Sequence, residues 1–239
     1  MQIKPGQKIA VIMPAFNEEQ TIAQVISGVK TAVPGADVIV IIDNTTDQTA
    51  QVARAAGATV LKLPLKLGMG CAIQTGYKYV LRNHYDFVVR MDSDGQHLPG
   101  EIDKLLQPVL KGEVDVSIGS RYQGQDHCRT PLVRRAMMVI LAKVISLVYG
   151  KRFTDTTSGF NAGNRKAIKL LAHNYPTICG TPTLILLKWA GLRVAEVSVA
   201  MKERQGGVSY FTSMRKLAYV LRVLVALLTL VVKKKSFEI

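Results

Sequence analysis

Two aspartates with one residue between them, Asp92-Ser93-Asp94, are the side chains here best placed to do chemistry. They follow an apolar run, Phe87 to Val89, and Gly95 then breaks the run. If the strand continues to Asp94, side chains two apart face the same way. Both carboxylates then stand at the carboxyl end of a buried strand, where open α/β sheets bind ligands. Carboxylates that close repel unless a cation or a proton joins them. Oxygen-only ligands suit a hard ion such as Mg²⁺ or Mn²⁺, and such ions commonly hold substrate phosphates. The same residues also read as turn aspartates capping the next helix, and so short a pattern leaves both readings open.

The elements that must position this pair follow from hydrophobic pattern. Lys8 to Met13 reads as a buried strand, stopped at Pro14. Residues 15–19 form a loop, and Thr21 to Lys30 carries apolar residues at helical spacing (Ile22, Val25, Ile26, Val29). Strands follow at Asp37 to Ile42, Thr59 to Leu63, Asp86 to Met91 and Val114 to Ile118. Helices alternate with them at Gln48 to Ala56, Cys71 to Arg82 and Pro99 to Lys111. Strand and helix alternating across short joints predicts an α/β fold, a mostly parallel sheet with helices on both faces. A dinucleotide-binding reading fails on detail. The first strand leads into Pro-Ala-Phe-Asn-Glu, the third glycine expected after Gly68-Met69-Gly70 falls on Ile73, and no Walker A lysine motif is present.

Composition narrows the partners. The 239 residues carry a formal charge of +14, unevenly placed. Residues 1–120 hold 11 Lys+Arg against 12 Asp+Glu, and residues 121–239 hold 20 against 5. The second part therefore meets something anionic: nucleic acid, a membrane surface or a phosphorylated substrate. Aromatic residues are 6% and do not interleave with the basic ones, which argues against nucleic acid. Cys71, Cys128 and Cys179 are sparse and odd in number, which argues against a disulfide framework or zinc and fits a reducing cytosolic setting. Residues 1–7 lack the apolar core of a signal peptide.

Several blocks, taken in order, carry a resemblance. Val11 to Glu19 (VIMPAFNEE), Asp43 with Thr46-Asp47-Gln48-Thr49, and Leu67-Gly68-Met69-Gly70-Cys71-Ala72 come first. Met91 to His97 (MDSDGQH), Ile118 to Tyr122 (IGSRY), Ser158-Gly159-Phe160 and Arg204 to Ser209 (RQGGVS) follow. Together they resemble the GT-A glycosyltransferases of family 2, in the branch that puts a sugar on a polyprenyl phosphate, across roughly residues 8 to 210. The resemblance implies the GT-A fold over residues 1–210, with a nucleotide-sugar half (1–120) and an acceptor half (121–210). It implies a nucleotide-sugar donor held by Pro14, Ala15, Asn17, Glu18, Asp43, Leu67, Gly68, Asp92 and Ser93. Mg²⁺ or Mn²⁺ would be held by Asp92, Asp94 and Gln96. Asp94, Asp155 and Arg204 are its candidate catalytic residues, Asp155 serving as base or acceptor organiser, or capping a helix. The acceptor phosphate falls to Arg121, Arg134, Arg135, Arg204 and Ser209.

An acceptor phosphate with a long lipid tail needs a basic pocket beside an apolar, membrane-facing surface. Ala136 to Tyr149 and Leu217 to Val232 are nearly all apolar and shorter than the roughly 20 residues of a spanning helix. Both read as interfacial helices, or as core or dimer packing. Residues 211–239 thus form a C-terminal helix that meets membrane or partner. Lys233-Lys234-Lys235 is an anionic-lipid contact or a solvated tail. A peripheral protein at the cytoplasmic face is expected. A separate membrane protein that takes the product and a homo-oligomer are further partners this reading admits. His97 reads as a metal-site neighbour or a hydrogen-bonded histidine; His84, His127 and His173 share no spacing. The chain departs from the family pattern at Ile42, at Asn44-Thr45, at Lys66 and Met69, and at Cys179 to Thr183. The donor base stays open, with a UDP-sugar favoured over GDP-mannose. The alternatives are a family 2 enzyme extending a polysaccharide or lipid-linked oligosaccharide, and a nucleotide-sugar-binding module that has lost catalysis.

Overall fold

The computed structural model describes residues 5–123, 132–177 and 179–202; for residues 132–137 it describes the backbone alone. Among the described residues seven strands form one sheet: β1 (Ile9–Ala15), β2 (Asp37–Ile42), β3 (Thr59–Lys62), β4 (Phe87–Arg90), β5 (Val116–Ser120), β6 (Asn161–Asn164) and β7 (Val194–Ser198). Their order is β3-β2-β1-β4-β6-β5-β7. All neighbours are parallel except β6, which runs antiparallel to both β4 and β5. The expected mostly parallel sheet is present.

The helices are α1 (Ile22–Ala32), α2 (Thr49–Ala55), α3 (Met69–Arg82), α4 (Ile102–Leu110), α5 (Leu132–Tyr149), α6 (Arg165–Asn174) and α7 (Thr181–Trp189). A strand buried on both faces sends alternate side chains to opposite sides. Ile9, Val11 and Met13 of β1 join a core with α1, α2 and α4. Ala10 and Ile12 join the other core, with α3, α5, α6 and α7. These two apolar layers fix the sheet rigidly beneath the loops at its carboxyl edge.

Two features depart from the sequence reading. β4 ends at Arg90, so Asp92 and Asp94 lie on the loop beyond the strand and not on its pleat. Strands β6 and β7 were not legible. The β6 sequence, Asn-Ala-Gly-Asn, has no strand propensity. It forms because β4 and β5 offer it ladders on both sides. Asn164 then starts α6, its Oδ1 accepting the N–H groups of Lys166 (3.0 Å) and Ala167 (3.2 Å). Through β6 the sheet runs unbroken across residue 120. The apolar segment Ala136 to Tyr149 lies in α5, whereas Leu217 to Val232 and Lys233 to Lys235 are outside the described residues.

Candidate active site

The chain leaves β1 to form β2 on one side, and β4 adds on the other. This reversal opens a crevice at the carboxyl ends of β1 and β4, the place where α/β sheets bind ligands. Three loops line it.

The loop after β1 bends at Asn17, which takes a left-handed φ of 55°. Asparagine tolerates that conformation, and here its Oδ1 accepts the N–H of Thr46 at 3.0 Å. The Glu18 N–H donates to Thr49 Oγ1 at 2.8 Å, and the Glu19 N–H to Asp47 Oδ2 at 3.2 Å. Burial pushes the Asp47 carboxyl up, but hydrogen bonds from Thr49 and Glu19 prevail and hold it below its ordinary range. Pro14, Ala15, Asn17 and Glu18 are thereby stitched to the turn after β2. Thr46, Asp47 and Thr49 carry this framework. The sequence quoted them only as part of a resembling block, with no role for each.

Asp43 is buried, and its role is visible. Its Oδ1 accepts the N–H of Leu67 at 2.7 Å and its Oδ2 that of Gly68 at 2.9 Å. Gly68, at φ 87°, opens α3. The carboxylate thus satisfies backbone donors at a helix N-terminus, where negative charge is also favoured. The structure brings Asp43, Leu67 and Gly68 together, with the aspartate bound to the glycine segment. Beside them Lys66 Nζ stands 3.8 Å over the ring of Phe16.

The third loop holds the two aspartates. Asp94 Oδ1 accepts the Gln96 N–H at 3.1 Å across Gly95, an Asx-type turn. Ser93 Oγ donates to the Pro14 carbonyl at 3.0 Å, which ties this loop to the one after β1. Thr21 Oγ1 lies 2.9 Å from Glu18 Oε2 and 3.0 Å from the Ser93 carbonyl, a second tie. His97 Nδ1 accepts the Asp92 N–H at 2.8 Å, so the ring proton sits on Nε2, 4.0 Å from Asp92 Oδ2. The ring stacks on Phe160 at 4.8 Å. Burial lowers the His97 pKa to about 4; Asp92 opposes this, and Arg90 and Arg121 reinforce it. His97 is therefore a neutral, hydrogen-bonded histidine that shapes the loop. The next segment locks on as well: Met201 bridges His97, and the Lys202 N–H donates to the Gln96 carbonyl at 2.9 Å.

Asp92 Oδ1 is buried and has no hydrogen-bond partner among the described residues. Gly159 leaves the space beside it, since a Cβ there would come within 2.9 Å of Asp92 Oδ2. No group of three or more His, Cys, Asp or Glu gathers among the described residues. Two carboxylates, one with a buried oxygen that accepts no hydrogen bond among the described residues and has Arg90 Nη2 at 3.8 Å, fit a hard divalent ion that takes its remaining ligands from water and phosphate.

Across the crevice Arg121 follows β5. Its Nε donates to Asp155 Oδ2 at 2.6 Å and its Nη2 to Asp155 Oδ1 at 2.9 Å, a bidentate pair. Asp155 is fully buried. With both oxygens engaged, it serves to aim Arg121 and is not placed as a free base. Glu196 in turn accepts the backbone N–H groups of Thr154 and Asp155 at 2.9 Å and 2.6 Å. Burial pushes the Glu196 carboxyl up, opposed by those backbone bonds. Sequence reasoning missed Glu196; the one signal was its rarity, as one of five acids beyond residue 120. Arg134 and Arg135 fall at the start of α5, and their side chains are outside the described set; so are Arg204 and Ser209 altogether.

A mostly parallel sheet with one antiparallel insert, and a loop carrying two aspartates at its switch point, define a GT-A-like nucleotide-sugar transferase fold. The chain belongs to glycosyl transferase family 2, whose model matches residues 10–172, and it is a glycosyltransferase. It is 30% identical to a polyprenol monophosphomannose synthase of Mycolicibacterium smegmatis, over 87% of this chain and 82% of that one. It is 27% identical to an undecaprenyl-phosphate mannosyltransferase of Micrococcus luteus, over 84% of this chain and 86% of that one. Among solved structures it resembles glucosyl-3-phosphoglycerate synthase of Mycobacterium tuberculosis in complex with Mn²⁺, UDP and glucosyl-3-phosphoglycerate. The TM-score is 0.69 at 26% identity, covering 94% of this chain and 80% of that one.

Proposed function

We propose that this protein transfers a sugar from a nucleotide-diphosphate donor, a UDP-sugar in preference to GDP-mannose, to a polyprenyl phosphate, with inversion at the sugar carbon. The observation that carries the reading is the bidentate ion pair by which buried Asp155 holds and aims Arg121. The Arg121 charge is felt at His97, the histidine bound to the Asp92 N–H, which supports setting the acceptor phosphate on the side of the donor. The relatives named above act on polyprenol or undecaprenyl phosphate, and the synthase complex pairs UDP with Mn²⁺.

Pro14, Ala15, Asn17 and Glu18 border the donor slot with Asp43, Leu67 and Gly68. Asp92, Asp94 and Gln96 would hold Mg²⁺ or Mn²⁺. When bound, the ion neutralises charge building on the leaving nucleoside diphosphate. The acceptor phosphate is already an anion at neutral pH, so its oxygen attacks the sugar carbon without a strong general base. Arg121 orients it for in-line attack, and Arg134, Arg135, Arg204 and Ser209 complete the basic pocket in this proposal. Alongside, α5 exposes Val139, Ile140, Val144, Leu147 and Val148. No helix among the described residues is long and apolar enough to cross a membrane, so we assign this face to the surface of an anionic membrane. Extension of a polysaccharide is disfavoured, because Trp189, the lone tryptophan and best sugar platform, packs partly buried against the core.

A donor screen tests the proposal: labelled nucleotide sugars, polyprenyl phosphate and Mg²⁺ or Mn²⁺, followed by butanol extraction. Label in butanol is expected. Label only in water, on a glycan or a small phosphate acceptor, rejects the lipid acceptor. Asp94→Ala is expected to abolish transfer while the circular dichroism spectrum and melting temperature are retained; an active Asp94→Ala protein rejects the metal role.

A further inference from the structure

The positive charge behind the metal motif belongs to Arg90, and the proposed function does not use it. Arg90 ends β4 two residues before Asp92 and is only 4% exposed. Its Nη1 donates to the Tyr175 hydroxyl at 2.9 Å, and Tyr175 stacks on Tyr77 at 5.7 Å. Its Nη2 stands 3.8 Å from Asp92 Oδ1. That distance gives attraction between charges without a hydrogen bond, and Oδ1 stays otherwise unpartnered. Behind the guanidinium is a cavity of about 30 Å³, into which Arg90 and Thr183 both face. Among the described residues Arg90 Nε and Thr183 Oγ1 lack hydrogen-bond partners, and no carboxylate lines the cavity. It has room for about one water and offers no anion to neutralise the arginine.

We propose that Arg90 makes the divalent ion bind together with the nucleotide and poorly without it. This rests on the reading of Asp92 and Asp94 as metal ligands. A guanidinium keeps its proton in a protein, so its charge is permanent. Buried charges are screened far less than exposed ones. An ion approaching Asp92 alone meets two carboxylates, one already half-claimed by a fixed cation. His97 adds no ligand from Nδ1, which is bound to the Asp92 N–H. The diphosphate supplies the missing negative charge, so ion and nucleotide enter as a pair.

Binding of Mn²⁺ to the full chain, read from the free-ion electron paramagnetic resonance signal with and without UDP, tests this. In the wild type UDP is expected to tighten Mn²⁺ binding at least about tenfold, the scale of one nearby charge at intermediate dielectric. Arg90→Met is expected to tighten Mn²⁺ binding in the absence of UDP by at least about tenfold. Arg90→Lys, which keeps the charge, should behave as the wild type. Arg90→Gln, which keeps a donor for Tyr175, repeats the test should Arg90→Met melt below the assay temperature. If Asp94→Ala removes UDP-linked binding while neither neutral variant tightens Mn²⁺ alone, this inference is overturned and the metal role stands. If Asp94→Ala leaves Mn²⁺ binding unchanged, the metal role falls and this inference with it.

Discussion

Asp155 and His97 show how buried groups shape the crevice without touching a substrate. Asp155 is fully buried and shares its charge with Arg121 through two hydrogen bonds. Removing one partner of such a pair strands the other, which typically costs about 3 kcal/mol or more. Asp155→Asn should therefore lower stability by about 3 kcal/mol in urea unfolding. It should also raise KM for the acceptor phosphate more than KM for the donor; equal changes in both would argue against an acceptor role for Arg121. His97 makes a different prediction. Its folded pKa, about 4, lies below its ordinary 6.5, so the unfolded chain binds the extra proton first. The contribution is complete above about pH 6.5 and is lost as pH falls toward 4, amounting to about 3 kcal/mol. Unfolding free energies at pH 7 and pH 4.5 should differ by less in His97→Gln than in the wild type. These roles were only half legible. Asp92-Ser93-Asp94 announced itself by spacing, and Asp43 by resemblance. That Asp43 binds the amides of Leu67 and Gly68 depends on a contact 24 residues away, which no local pattern encodes.

At the scale of elements, α5 is apolar on more than one side. Met138, Leu141, Ala142 and Ile145 are buried, whereas Ile140 is 62% and Leu147 86% exposed. A helix apolar all round is usually covered on every side. The second side is the face assigned here to membrane. Val144→Glu with Leu147→Glu should abolish co-sedimentation with anionic vesicles. Because both residues are exposed, the melting temperature should hardly move. Vesicle binding that survives the double substitution would relocate the membrane contact. The apolar content of α5 was evident from the sequence, since Ala136 to Tyr149 contains two polar residues. Which side is buried was not, because α7 and Phe153, which pack on it, are distant or irregular in sequence. The strands divide the same way. β1, β2 and β4 were readable as runs of Ile and Val, fully buried in a parallel sheet. β6 was invisible, because its neighbours and not its residues make it a strand.

For the molecule as a whole, the excess of 15 basic charges beyond residue 120 suggested an acceptor half within one domain. The sheet does not divide there. β6, from that half, stands between β4 and β5, both from the half before it. This placement governs the order in which the protein can be completed as it is synthesised. The chain through residue 120 can lay down β1 to β5, yet β4 and β5 cannot close on each other, because their common partner comes about 40 residues later. Gly159, the wall beside Asp92, and Phe160, the platform under His97, arrive with that late strand. A chain ending before Gly159 would carry the loops after β1, β2 and β4 without the wall beside Asp92. Pairings of high sequence separation are slow to form. The sheet is continuous, and the Asp92 loop has its wall at Gly159, only with β6 between β4 and β5.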